Sequence, residues 1–321
     1  MTPGEAAAGA GPWTRAARRL RSDRVGLVFV CLLAVMLVLC ASAPLYAAVV
    51  ADTGPVENHI TDTVRLGDRT VDVVALDGVP IGPTWHPHYL LGADHNGRDV
   101  AVRLLYAARN SILIGGAAAL ISIGLGAACG LAAGYAGGRV ETAVMRMLDV
   151  IWSFPVLLAG IAVATVLTLQ DARVASKVTT AVLIGVVSIP YAARPIRAQV
   201  RALRGQSFVD AAVLAGAGPA RVMARELLPN VAFGLIALFT VLFANAIVLE
   251  AALSFLGAGV RPPEASLGGM LNTGLANFTI SPHLLVVPAV ALTVTVLVVN
   301  LVGDAIRRAL DPNAAITGPP A

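Results

Sequence analysis

The sequence has almost no lysine. Of its 23 basic residues, all but Lys177 are arginine. A phosphate-cradling P-loop needs a lysine in Gly-x-x-x-x-Gly-Lys-[Ser/Thr], where it reaches the terminal phosphates of a nucleotide. Lys177 stands in Ala-Ser-Lys-Val, which excludes that loop and leaves any ATP chemistry to another chain. Charge is scarce altogether, at 13% of residues against about 25% in soluble domains. Aromatics make up 5%, and a net charge of +4 carries no footprint for nucleic acid. The three cysteines, Cys31, Cys40 and Cys129, sit in apolar runs without metal spacing or a disulfide framework, and read as small hydrophobes.

What is present is apolar bulk, 57% of 321 residues, with a mean hydropathy of +0.79. About 20 apolar residues cross a bilayer as a helix. Charge-free runs at Val25–Val50, Asn110–Gly138, Val150–Gln170, Val178–Ala193, Leu227–Leu249 and Leu284–Gly303 predict six spans. The fourth is short and is expected to end at Ile189-Pro190. The first is too long for a signal-peptide core and lacks a cleavage site, so it is expected to be retained. With the N-terminus inside, 15 of the 23 basic residues fall in cytoplasmic pieces, so both termini are expected in the cytoplasm. The expected divisions are a tail at 1–24, a first transmembrane helix at 25–50, an extracytoplasmic loop at 51–109, a core at 110–303 that includes a cytoplasmic loop at 207–230, and a tail at 304–321.

In the first loop, "TVRLGDRTVDVVALDGVPIG" (Thr63 to Gly82) alternates, is rich in Val and carries two turn signals, which predicts a small β-hairpin. His86, His88 and His95 follow it. Pro87 separates the first two, no Cys or Glu lies close, and they read as solvated loop histidines with no metal. Gly126, Gly130, Gly134 and Gly138 recur every fourth residue, a small-residue stripe on which another helix can pack closely. Asp149, Glu250 and Asp304 fall near span ends, where interfacial capping and a functional role both remain open. No Asp/His relay or Arg-rich voltage sensor is present, and no histidine lies in any of these runs. A self-contained secondary carrier would need an internal repeat and midplane coupling charges. A membrane-embedded enzyme would need converging His, Asp or Glu. Neither pattern is found, and no catalytic residue is proposed.

The stretch "DAAVLAGAGPARVMARELLPN" (Asp210 to Asn230) lies between two spans on the cytoplasmic side. Phe208–Ala215 predicts a short helix with small residues at Ala211, Ala212 and Ala215. Gly216 and Gly218-Pro219 break it. Arg221–Leu228 predicts a second short helix, ended at the membrane by Pro229. This bent hairpin, with Arg221 and Arg225 exposed, is suited to docking another protein. Asp-Ala-Ala, Gly216 and Leu-Leu-Pro229 with Leu228 resemble the EAA loop of ABC importer permeases, Asp210 replacing the usual Glu. "LGADHNGRDVAVRLLYAARNSILIG" (Leu91 to Gly115), "GYAGGRVETAVMRMLDVIWSFP" (Gly134 to Pro155), "EAALSFLGAGVRPPEASLGGML" (Glu250 to Leu271) and "NLVGDAIRRALDPN" (Asn300 to Asn313) are similar to the C-type permeases of dipeptide/oligopeptide importers, with Ala93 for the usual Thr. The resemblance covers roughly residues 20 to 313, and the loop from Asp52 to Pro83 is longer than that pattern.

The resemblance implies an all-α integral membrane protein with a MetI-like type I importer transmembrane domain and a small extracytoplasmic β-like insertion. It implies a bacterial inner membrane and, as partners, a sister permease, one or two ATPase subunits, an extracytoplasmic peptide-binding protein and a peptide substrate in a lipid bilayer. ATP and Mg would belong to the ATPase subunits, with no cofactor in this chain. Nickel chelates, glutathione or haem are the alternative solutes. The loop 207–230 would couple to the ATPase. Glu250, Ser254, Phe255, Leu256 and Gly257 are candidates for an external gate: a bulky plug beside a flexible glycine, followed by Arg261-Pro262-Pro263, which forces the chain out of helix.

Overall fold

The computed structural model describes residues 18, 21–66, 69–168 and 173–310. Most of the tail 1–24, the turn at 67–68, the third-to-fourth connection and the tail beyond 310 lie outside them. The first span, α1 (Arg24–Ala41), starts on the cap of Asp23, whose Oδ1 accepts from Gly26 N at 2.9 Å. Its apolar run does not stay straight to Val50. The helix stops at Ser42 and restarts as α2 (Ala43–Tyr46), with Pro44 in its first turn, and closes on a π-helical turn at Ala47–Ala51.

The hairpin in the first loop is present but short. β1 (Thr63–Leu66) and β2 (Arg69–Asp72) pair antiparallel, Val64 opposite Val71. The second turn closes on Gly78, with φ +81, between the bridged Val74 and Pro80.

The second span begins ten residues before its charge-free run, as α3 (Val100–Ala136). Asp99 caps it, its Oδ1 accepting from Ala101 N (2.7 Å) and Val102 N (3.1 Å). The third span is a bent pair rather than one helix. α4 (Gly138–Ser153) and α5 (Val156–Thr168) meet at 75°. Pro155 is the cause: it drives Phe154 into an extended conformation (φ −87, ψ 126). The fourth span does not end at Ile189-Pro190. α6 (Arg173–Val187) and α7 (Ile189–Arg204) form one span through Arg204, because Pro190 lies in the first turn of α7, where its missing N–H costs no bond. Five helices are long and apolar enough to cross a membrane, or six with the bent pair.

The glycine stripe is where the bundle closes. A methyl group at Gly130 would lie 2.8 Å from the carbonyl of Ala193, and one at Gly134 2.8 Å from Cβ of Val200. At Gly126 it would run into Ala192. These three let α3 and α7 approach at backbone distance. Gly138 does not share this work. Nothing lies within 4 Å of a Cβ built there, and its φ of +53 serves the sharp turn from α3 into α4.

Candidate functional site: an exposed knuckle and a buried latch

After α7 the chain makes α8 (Ser207–Leu214), then α9, continuous from Pro219 to Phe255. The second arm of the expected hairpin is therefore not a separate helix. Arg221–Leu228 is the start of the fifth span, which passes through a π-helical turn at Val222–Leu227. Pro229 does not end a helix. It sits in the first turn of the following α-helical stretch, where the preceding π-turn already relaxes the i to i−4 pattern that proline breaks.

α8 and Gly216 form a projecting knuckle. Gly216 takes φ +81. Its N–H donates to Val213 O (2.9 Å), and Ala217 N donates to Ala212 O (3.0 Å), which is a Schellman cap. A Cβ at Gly216 would meet nothing, so the glycine is required by backbone conformation and not by space. Val209, Val222 and Leu227 are buried beneath, and Ala212 packs on them. Ala212 is thus turned inward, while Asp210, Ala211 and Ala215 face out. Arg221, Arg225, Leu228 and Pro229 are exposed as well. Leu214 is the residue the sequence reading missed. It is 89% exposed at the tip, with the half-open Val213 beside it. The available signal was a Leu two residues before a helix-ending Gly in a connection between spans.

At the opposite end, α9 stops on a second Schellman cap. Gly257 has φ +77, Ala258 N donates to Leu253 O (2.8 Å) and Gly257 N to Ser254 O (3.1 Å). Glu250 and Ser254 face the subunit interior. Glu250 is 0% exposed and accepts from Ser111 Oγ of α3 (2.5 Å) and Ser254 Oγ (2.7 Å). Ser254 Oγ also accepts from Val260 N (3.0 Å), so one carboxyl ties α3 to the turn after α9. Of the gate candidates, Phe255 is half-buried, and Leu256 and Gly257 are open. Asp149 and Asp304 are both paired: Asp149 with Arg194 at 2.9 Å, Asp304 with Arg307 at 3.7 Å.

The segment 89–103 forms a lid over this end. Asp94 Oδ1 accepts from Asn96 N (2.9 Å) and Arg98 N (3.0 Å), and Oδ2 from Arg98 Nε (2.8 Å). Arg103 reaches from α3 to Pro55 O (2.7 Å). Asp99 accepts from Tyr89 N (2.8 Å) besides its two capping bonds. Burial pushes the Asp99 carboxyl up, against the lowering pull of those three N–H groups, and burial with the Asp99 charge raises the Tyr89 phenol to about 12. Asn110 Nδ2 donates to Ala265 O (2.7 Å). His88 Nδ1 lies 3.1 Å from the carbonyl of Ala51. Among the described residues no group of three or more His, Cys, Asp or Glu is placed to hold a metal.

The described residues thus form a bundle of five or six apolar spans, tied by a buried carboxyl at one end of α9 and carrying an exposed apolar knuckle on an aliphatic base at the other. The model of binding-protein-dependent transport system inner membrane components matches residues 112–316. The dipeptide transport system permease protein DppC of Haemophilus influenzae is 33% identical over 91% of this chain and 90% of its own. The oligopeptide transport system permease protein OppC of the same organism is 35% identical over 72% of each chain. A glutathione transport system permease protein, GsiD of Escherichia coli O6:K15:H31, is 35% identical over 74% of this chain and 75% of its own. Among solved structures, a chain of the MetNI methionine ABC transporter in an inward-facing conformation matches with a TM-score of 0.50 at 17% identity, over 65% of this chain and 96% of that one, which speaks to the fold. The chain belongs to the binding-protein-dependent transport system inner membrane component family, and is a multi-pass permease subunit with a MetI-like fold.

Proposed function

We propose that this chain is the permease subunit of an ATP-driven importer of dipeptides and oligopeptides, forming half of the path beside a sister permease. The observation that carries the reading is the exposed knuckle at 207–218, continuous through α9 with the opposite face of the membrane, in a chain whose relatives include permeases named for dipeptide and oligopeptide transport. The knuckle seats in one of two ATPase subunits, which hold ATP and Mg. Leu214 and Val213 are the apolar anchors, and Asp210, Arg221 and Arg225 meet the rim. Both termini are cytoplasmic. The hairpin and lid face outward, where a peptide-binding protein delivers the solute, and Phe255 and Leu256 close the path when the complex is at rest.

Reconstitution with its neighbouring permease, ATPase and binding protein tests this directly. ATP-dependent accumulation of a radiolabelled dipeptide is expected, and hydrolysis without accumulation would overturn it. Topology has its own check. A single cysteine at Leu76, which is fully exposed at the second turn, should react with an impermeant thiol reagent on intact cells. Labelling only after lysis would reverse the orientation.

A further inference from the structure

Asp149, Trp152, Tyr191 and Arg194 form a cluster that neither the knuckle nor the outer latch uses. Arg194 Nη2 donates to Asp149 Oδ1 at 2.9 Å. The guanidinium carbon lies 3.8 Å from the centre of the Trp152 ring, and Tyr191 meets that ring edge-on at 5.4 Å. α4 and α7 run antiparallel here: Glu141 pairs with Arg197 at 3.0 Å, and Leu148 packs on Ile189 and Ala193. Counted at about 1.5 Å per residue, Asp149 is about 16 Å from the start of α4 at Gly138, and Arg194 about 15 Å from the end of α7 at Arg204. On α4 and α7 these are the charges furthest from those ends.

Depth and openness together make the cluster unusual. The side chains of Asp149 and Arg194 keep 53% and 35% of their exposure, and Trp152 and Tyr191 are also open. Glu141, by contrast, is shielded between Arg197 and Arg201, at 19%. Ionisable side chains at membrane depth face a protein interior or a water-filled cavity, not lipid. Among the described residues no element covers the cluster. The 75° turn at Phe154-Pro155 carries α5 away and leaves the side of α4 that bears Val150 and Trp152 open. An ion pair left open in this position is suited to line an aqueous path.

We propose that Arg194, held by Asp149 and stacked on Trp152, is a contact for the free carboxylate of the transported peptide on the cytoplasmic half of that path. A planar guanidinium binds a carboxylate through two parallel N–H bonds. In the empty state Asp149 supplies the counter-charge. When solute arrives, its carboxylate competes for Arg194, and its ammonium group replaces the charge that Asp149 loses. The Trp152 and Tyr191 rings offer a sequence-tolerant apolar face for side chains. An ion pair that is remade after each passage keeps the solute from being held. The inference rests on the importer reading.

The test uses the assembled complex in proteoliposomes, with Cys31, Cys40 and Cys129 of this subunit replaced by serine. Asp149→Cys should react with a charged, water-soluble methanethiosulfonate, and saturating dialanine should slow that reaction. No reaction overturns the proposal whatever the solute. Reaction that dialanine leaves unchanged points to a lipid headgroup at the site and overturns it too. For uptake, Arg194→Gln should raise the half-saturating dialanine concentration about tenfold, the scale of a lost charge-assisted bond, with ATPase retention unchanged. It should also lower the preference for dialanine over C-amidated dialanine. The double exchange Asp149→Arg with Arg194→Asp restores the ion pair. Full uptake by that variant would show a structural pair only. If the unsubstituted complex takes up no dipeptide, the peptide reading fails, and the thiol reaction still decides whether the cluster lines the path.

Discussion

Two helices of this chain end on the same motif and live under different constraints. α8 stops at Gly216 and α9 at Gly257, each glycine left-handed, each capped by the same pair of backbone bonds. Behind Gly257 lies a sealed polar latch, Glu250 with Ser111, Ser254 and Val260 N, and the segment 89–99 is held to α3 by the Asp99 cap and the Asp94–Arg103 pair. Behind Gly216 lie a few buried aliphatic residues, and ahead of it a bare leucine. The cap at Gly257 is fastened to its own subunit. The cap at Gly216 has no such side-chain tie among the described residues.

The comparison breaks most severely at Glu250. Glu250→Ala orphans two buried hydroxyls at about 1–3 kcal/mol each, and a fall in thermal midpoint in detergent should follow. Glu250→Gln keeps an acceptor and a donor and should lose much less. Next come the glycines themselves. Valine at either position forces a β-branched residue to positive φ, at a cost of about 1–3 kcal/mol. Gly257→Val should lower the midpoint of the whole bundle, since the latch hangs on that turn. Gly216→Val should leave insertion and midpoint near normal while abolishing dipeptide uptake, through loss of ATPase on pull-down or hydrolysis without transport. If both variants lower the midpoint alike, the two ends are not different in kind. Leu214→Ser should shift stability by no more than about 0.5 kcal/mol, as surface changes do, yet release the ATPase subunit. The smallest effect belongs to Phe255→Ala, which should raise basal hydrolysis or leak without changing assembly.

How much of this was legible depended on which physical signal each element uses. Spans announce themselves by apolar length, so their number was readable, with the bent pair as the sixth. Their ends were not, because helices here continue past the last apolar residue. Arg103 and Arg197 are helical and paired, and charge-counting takes such residues for loop. Gly126, Gly130 and Gly134 were readable as a packing stripe because spacing alone puts them on one face. Gly138 keeps the same spacing and has another task, which only its φ reveals. In the knuckle, Gly216 was legible as a breaker. Ala212 was grouped with an outward face because rotation about a two-turn helix cannot be fixed without its neighbours. The Asp149–Arg194 pair joins residues 45 apart in sequence, and no local pattern connects them.

The π-helical turn at Val222–Leu227 sets a bearing. An α-helix advances about 100° per residue, and a π-turn absorbs one residue more than the α-helix would need for the same length. The compass direction in which Leu214 points, relative to the face of α9 that carries Glu250 some 40 Å of chain away, is therefore fixed by a single surplus residue. Were the turn to relax to α-helix with every residue kept, the knuckle would swing by about 100° about the span; deleting one residue there would instead let it relax with both ends aimed as before.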